Sequence, residues 1–387
     1  MTGSTQFYRP ELDALRFLAF ALVFVFHTAA SIHGEMSAAG NMQAFLANVA
    51  QAGSYGVDVF FLLSAYLITD LLLREKEHKI NILSFYARRV LRIWPLYFTF
   101  IILTFLLSRF TPIQFPNGAI APMLLFYGNF WIMTHTFFSP AGILWSVSVE
   151  EQFYLLSPFA VQFLSRYRLI ALAIVLIFLS NTARFFLLQG KILTPDALWY
   201  CTLTRLDPIA TGVLASLLLR RRVPMIGPLV RGGVFVTGAI CLYTAANWFH
   251  GVDKNFSVID GMVAYPLATV GALAIFLSFL GAPINWEPLI YLGQISYGLY
   301  VFHLFALDIT KLGLLQTIGR CPFWLRGIVG LPITVGLAAA SYAWLEKPFL
   351  QLKRRYALET LVPSLRATGA RVPILVNPAS TAVGDRP

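Results

Sequence analysis

An imidazole near carboxylates can take a proton from a hydroxyl group, and paired guanidinium groups can hold a phosphate through parallel hydrogen bonds. The chain carries both kinds of side chain where they are costly to keep. Arg16 and His27 lie in its first apolar run and Asp58 in the second. Glu150 and Glu151 sit in WSVSVEEQFYLL, Arg205 and Asp207 in RLDPIATGVLAS, and Tyr297 and His303 in ISYGLYVFHL. A charged side chain near a bilayer centre costs about 2.5 to 3.5 kcal/mol on insertion scales, so each of these residues needs a purpose.

Spacing groups them further. Arg16 and His27 are about three helical turns apart and project from nearly the same helix face, which favours a shared interior cavity over a single hydrogen bond to a neighbouring helix. Arg89 and Arg92, at i and i+3 in FYARRVLRIWPLY, also share a face, and Pro95 one turn on can distort the helix beside them. Basic residues at a helix start can equally serve orientation alone. Glu150 and Glu151 are adjacent and cannot share a face, so one points into the site; Glu150 is preferred, and Glu151 suits a structural ion pair.

The elements that must hold these groups follow from composition. With 58% hydrophobic and 12% charged residues in 387, the chain is far poorer in charge than soluble proteins, and apolar runs recur almost to residue 345. The predicted fold is all-α, an integral membrane bundle of about ten transmembrane helices. The formal charge of +11 sits in short clusters between apolar runs, a pattern of membrane orientation and not of nucleic-acid binding. Cys201, Cys241 and Cys321 form no CxxC pair.

Putting the clusters around Arg74–Arg92, Arg166–Arg168, Arg220–Arg222 and Lys347–Arg355 inside gives spans at 12–32, 54–73, 92–108, 142–164, 169–188, 205–219, 232–249, 262–281, 289–308 and 324–345, with both termini cytoplasmic. The first span reads as retained, without a cleavage site. The stretch 109–141 is read as an external re-entrant or interfacial segment; the alternative, a true crossing, would put Arg166 outside. Residues 1–361 form the membrane domain and 362–387 a disordered cytoplasmic tail.

At about 1.5 Å per residue, His27 and His303 share a level about 7 Å below the outer surface, and Asp58, Glu150 and Asp207 lie about 3 to 12 Å below it. Arg16, Arg89 and Arg92 belong to the inner half. A route is expected between this inner guanidinium mouth and the outer histidine level.

In their order along the chain, Arg16 with His27, GVDVFFLLSAYLI, Arg89-x-x-Arg92, WSVSVEEQFYLL, RLDPIATGVLAS, ISYGLYVFHL and EKPF resemble the signatures of the acyltransferase 3 family of ten-span membrane enzymes, over residues 9 to 350. The resemblance implies an O-acyltransferase with a cytoplasmic acyl-CoA donor, in the first place acetyl-CoA, an essential histidine and an RxxR pair serving the donor. Some relatives carry a further esterase-like domain; the chain is expected to lack one and to act alone or pass its acyl group to a partner.

The expected assignment is therefore His27 as base, held by Glu150 or Asp58; Arg16, Arg89 and Arg92 on the donor; and Arg205, Asp207, Tyr297 and His303 toward a sugar, glycan or related acceptor. No metal is required. Direct transfer and an acyl-histidine intermediate both remain open. The expected setting is a bacterial inner membrane, with lipid as neighbour, no nucleic acid, and oligomeric state undetermined. The competing class is a ten-span proton-coupled transporter, since buried acids and histidines also build proton relays; no doubled halves stand out in support of it.

Overall fold

A computed structural model describes residues 9–29, 41–77, 80–135, 139–219, 222–249 and 257–352. The expected tail, 362–387, lies outside the described residues. Ten long helices organise the rest: α1 Pro10–Ala29, α2 Gly56–Lys76, α3 Ile82–Leu107, α4 Trp145–Phe163, α5 Arg166–Gln189, α6 Leu206–Leu219, α7 Pro228–Asn247, α8 Val258–Phe279, α9 Ser296–Ile318 and α10 Phe323–Ser341. Among the described residues nine helical stretches are long and apolar enough to cross a membrane, which makes this a multi-pass integral membrane protein. The tenth helix, α4, is long enough at 19 residues but falls short in mean hydropathy, because two Glu, two Gln and three Ser occupy it.

Burial separates the helices into centre and rim. In the stretch containing α2, 67% of the most apolar window is buried, and in α1 56%; α5 and α7 reach 22% and the last span 17%. The central pair is clamped by backbone approach. A Cβ at Gly53 would stand 2.2 Å from the Leu22 carbonyl oxygen, and one at Gly56 2.5 Å from that of Ala19, so only glycine lets the head of α2 lie on α1. That contact fixes Asp58, which lies buried in the first turn of α2. Gly212 does the same for α6, where a Cβ would meet the Leu62 carbonyl oxygen at 2.2 Å.

Several expected boundaries shift. The third helix begins at Ile82 and not at 92, capped by the Asn81 side chain accepting from the Ser84 amide at 2.9 Å. Arg88, Arg89 and Arg92 thus lie inside it, because long arginine stems can run along a helix while carrying the charge to its polar end. The ninth span was expected over 289–308; a break at Ile295 separates the short helix Glu287–Gln294 from α9, which runs on to Gly319 in the left-handed conformation, φ +69°. Within 109–141 the helical pieces Ile120–Leu124 and Gly128–Ile132 have five residues each, far too few to cross, and they are tied down by Tyr97 donating to the Met123 carbonyl at 2.6 Å. The last span is expected to stop at 345; α10 instead ends in a π-helical turn, Tyr342–Glu346, followed by further helix to Leu352.

Candidate functional site

Five helices enclose a cavity of about 320 Å³. Arg16 enters it from α1, Ser64 from α2, Arg89 and Arg92 from α3, Ser146, Glu150 and Tyr154 from α4, and Ser296, Tyr297 and Tyr300 from α9. The face shared by Arg89 and Arg92 is the face turned to the cavity, as their i,i+3 spacing requires. A second hollow of about 340 Å³, lined by Arg9, Asp13, Asp70 and Arg74 among others, shares Arg16 and Leu67 with it and lies toward the start of α1 and the end of α2.

The guanidinium groups differ in how they are held. Arg16 is bonded to Asp13 one turn earlier. Among the described residues neither Arg89 nor Arg92 has a carboxylate within ion-pair distance. Arg89 lies over the rings of Phe85 and Tyr154, at 5.7 and 5.9 Å, and its Nε is buried without a hydrogen-bond acceptor. A buried guanidinium left unpaired is costly, and a bound phosphate or carboxylate would relieve that cost.

Glu150 faces the cavity and accepts from the Tyr154 hydroxyl at 3.2 Å, while Tyr154 is also bonded to Ser64. Glu151 points away and meets the Trp94 indole N–H at 3.3 Å, so the two adjacent acids separate as their spacing demands. Tyr297 lines the cavity and donates to the Ile93 carbonyl at 3.0 Å.

His27 and His303 meet. His303 Nε2 stands 3.2 Å from His27 Nδ1, His27 Nδ1 is 2.9 Å from the Val23 carbonyl oxygen, and His303 Nδ1 is 2.6 Å from that of Tyr300. The shared level expected from span limits is real, although α9 extends ten residues beyond the limit used to find it. Neither histidine lines the cavity. Tyr300 does; its ring lies 5.6 Å from that of His303, and its hydroxyl bonds to Ser146 at 2.7 Å. The route expected between arginines and histidines therefore ends at Tyr300, one ring short of the histidine pair.

Three expectations are corrected by a separate buried cluster. Asp58 does not hold His27; it accepts from Arg205 Nη2 at 2.7 Å. Arg205 and Asp207, expected to meet the acceptor, are 0% and 2% exposed and do not line the cavity. Arg205 is boxed by Trp199, Tyr265, Phe61 and Trp145, with ring centroids at 4.3 to 6.0 Å, and Asp207 is bonded to Arg184 at 2.5 Å. The physical reason is that a charge buried this deeply must find its counter-charge at contact distance, and each of these acids has an arginine there. Nor does Glu150 hydrogen-bond to His27.

Sequence reasoning missed Arg184, although a lone arginine in the fifth apolar run was signal enough. It also missed Ser64 and Tyr154, which carry none, since hydroxyl residues are common in spans. Glu346, buried in the π-helical turn and bonded to Ser341, was read only as part of the EKPF signature. Among the described residues no group of three or more His, Cys, Asp or Glu is placed to hold a metal.

Residues 9–343 match the model of a family described as an acyltransferase domain. The chain is 30% identical over 379 residues to the putative peptidoglycan O-acetyltransferase YrhL of Bacillus subtilis, covering 90% of this chain and 56% of that protein. It is 26% identical over 395 residues to the O-acetyltransferase OatA of Staphylococcus aureus, covering 95% and 61%, and 27% identical over 374 residues to the peptidoglycan O-acetyltransferase OatA of Listeria monocytogenes, covering 90% and 56%. The chain thus spans less than two thirds of the length of these curated relatives. No solved structure matches it.

Proposed function

The chain belongs to the acyltransferase 3 family, and from that premise we propose that it moves an acetyl group from acetyl-CoA to a hydroxyl of a cell-wall glycan of the peptidoglycan type. Membership of an acyltransferase family sets aside the proton-coupled transporter. The names of the relatives support acetyl as the acyl group and peptidoglycan as the acceptor class. In this reading residues 1–361 are one membrane domain of a bacterial inner membrane, both termini are cytoplasmic, and the donor enters from the cytoplasmic end of α1 through α3.

The observation that carries the reading is the pair of cavity arginines without a carboxylate, Arg89 and Arg92, in the same enclosure as Glu150 and one ring away from His27 and His303. The arginines and Arg16 would hold the phosphates of CoA, and the cavity would admit its thioester arm. The Tyr300 ring must then swing from Ser146 to let the thioester carbonyl reach His27. His27 Nε2 takes the acceptor's hydroxyl proton as its oxygen attacks that carbonyl; the tetrahedral intermediate collapses, the carbon–sulfur bond breaks, and the departing thiolate recovers the proton from the imidazolium. Glu150 and Tyr297 would steady the donor or acceptor within the cavity.

Purified protein should be stabilised against heat by CoA, and the doubly substituted Arg89→Ala/Arg92→Ala protein should lose that stabilisation while remaining folded. Undiminished stabilisation of the double variant would remove the donor assignment. His27→Ala should insert normally and transfer no acetyl group; full transfer by it would remove the base.

A further inference from the structure

We infer that His303 is a positioning residue whose imidazole, beside the Val23 carbonyl that sets the tautomer, holds the direction of His27 and stabilises its imidazolium, in the place where a carboxylate would be expected. The inference rests on the reading of His27 as the base.

Hydrogen-bond chemistry assigns the protons. A carbonyl oxygen only accepts, so the ring nitrogen facing it must carry hydrogen. His303 Nδ1 faces the Tyr300 carbonyl at 2.6 Å and His27 Nδ1 faces the Val23 carbonyl at 2.9 Å, so both rings are protonated at Nδ1. A neutral imidazole has one N–H, which leaves His303 Nε2 with a free lone pair, and that atom lies 3.2 Å from His27 Nδ1. The His27 Nδ1–H is shared between the Val23 carbonyl and His303 Nε2. What remains is the lone pair on His27 Nε2, the one nitrogen of the pair that has no hydrogen-bond partner among the described residues and the one a general base needs.

The rest of the environment keeps this arrangement. Backbone carbonyls set both rings from their own helices, α1 and α9. His303 is fully buried, its ring centroid 6.0 Å from that of Phe20 in an edge-to-face pair and 5.6 Å from that of Tyr300, and the Phe26 ring centroid lies 4.9 Å from that of His27. The acids expected to serve are engaged elsewhere, Asp58 with Arg205 and Glu150 with Tyr154. A neutral acceptor has a physical advantage here. It orients the base and can stabilise the imidazolium formed in the reaction, yet it places no net charge in the membrane interior while the enzyme rests.

The test compares three substitutions by acetyl transfer from acetyl-CoA to a soluble glycan acceptor, beside heat stabilisation by CoA. Leucine cannot accept from Nδ1–H; the glutamine carbonyl reaches the position of Nε2; the asparagine carbonyl is too short. His303→Leu should lower kcat at least about a hundredfold, within the range that proton transfer by a positioned side chain contributes, with KM for acetyl-CoA and stabilisation by CoA unchanged within about twofold. His303→Gln should recover at least about tenfold of that loss and His303→Asn should not. A leucine variant with wild-type kcat, or glutamine and asparagine variants impaired alike, overturns the inference. Where leucine abolishes stabilisation by CoA, the contrast between glutamine and asparagine decides in the same way. The failure of the underlying reading is separate: active His27→Ala protein removes the base itself, whereas inactive His27→Ala beside fully active His303→Leu removes only the role given to His303.

Discussion

Two regions of this bundle hold arginine inside the membrane, and they hold it in opposite ways. Between α2, α5 and α6, Arg205 is bonded to Asp58 at 2.7 Å and Arg184 to Asp207 at 2.5 Å, and all four side chains are at most 3% exposed. In the cavity between α1, α2, α3, α4 and α9, Arg89 lies over two ring faces and both Arg89 and Arg92 border open space, with no carboxylate at ion-pair distance among the described residues. The sequence motifs look equally charged; their surroundings do not. A buried charge with its counter-charge is part of the frame, and one without is waiting for an anion that the fold does not supply.

The comparison breaks most readily at the frame. Asp58→Leu or Arg205→Leu alone leaves one buried charge unpaired and should destabilise the protein by about 3 to 5 kcal/mol, whereas the double substitution should recover most of that loss. Thermal unfolding in detergent checks it, and single variants as stable as the parent would place Asp58 and Arg205 outside the frame. The cavity should respond through binding and not through folding. Arg92→Ala should leave the unfolding temperature of the free protein within about 2 °C and weaken CoA roughly ten- to a hundredfold, as expected for one charge-assisted hydrogen bond of about 1.5 to 3 kcal/mol. Arg92→Lys should recover only part of the affinity, since an ammonium group keeps the charge but not the planar fork; titration calorimetry separates the three proteins.

The smallest effect is expected at Glu346. This acid lies in the π-helical turn within electrostatic reach of Arg92 but is hydrogen-bonded to Ser341. Glu346→Gln keeps its shape and removes a negative charge near the donor arginines, so CoA should bind about two- to threefold more tightly. Weaker binding would mean that Glu346 belongs to the frame and not to the electrostatics of the cavity.

Much of this was legible without coordinates. The RxxR face points into the cavity because i,i+3 residues must share a side. His27 and His303 meet because each stands at a similar depth on a helix running the same way. Glu150 and Glu151 diverge because adjacent helical residues must. The break at Ile295 was not legible, because Glu287–Gln294 reads as a continuation of the same apolar run; only the seat of Gly293 against Asp13, where a Cβ would stand 1.9 Å from the carbonyl oxygen, explains why the chain stops and turns there.

The sequence by itself determined the solvent, the helical class, the approximate number of spans and the side chains able to do chemistry, because hydropathy and periodicity are local properties that need no knowledge of neighbours. Only the tertiary structure decided which acid meets which base. Asp58 goes to Arg205 where Gly212 lets α6 reach backbone distance of α2, and Asp207 goes to Arg184 and His27 to His303 where α5 packs on α6 and α9 on α1, so that a charge or an imidazole takes the nearest complementary group. Pairing depends on helix adjacency, and adjacency is a property of the packed bundle that spacing along the chain does not encode.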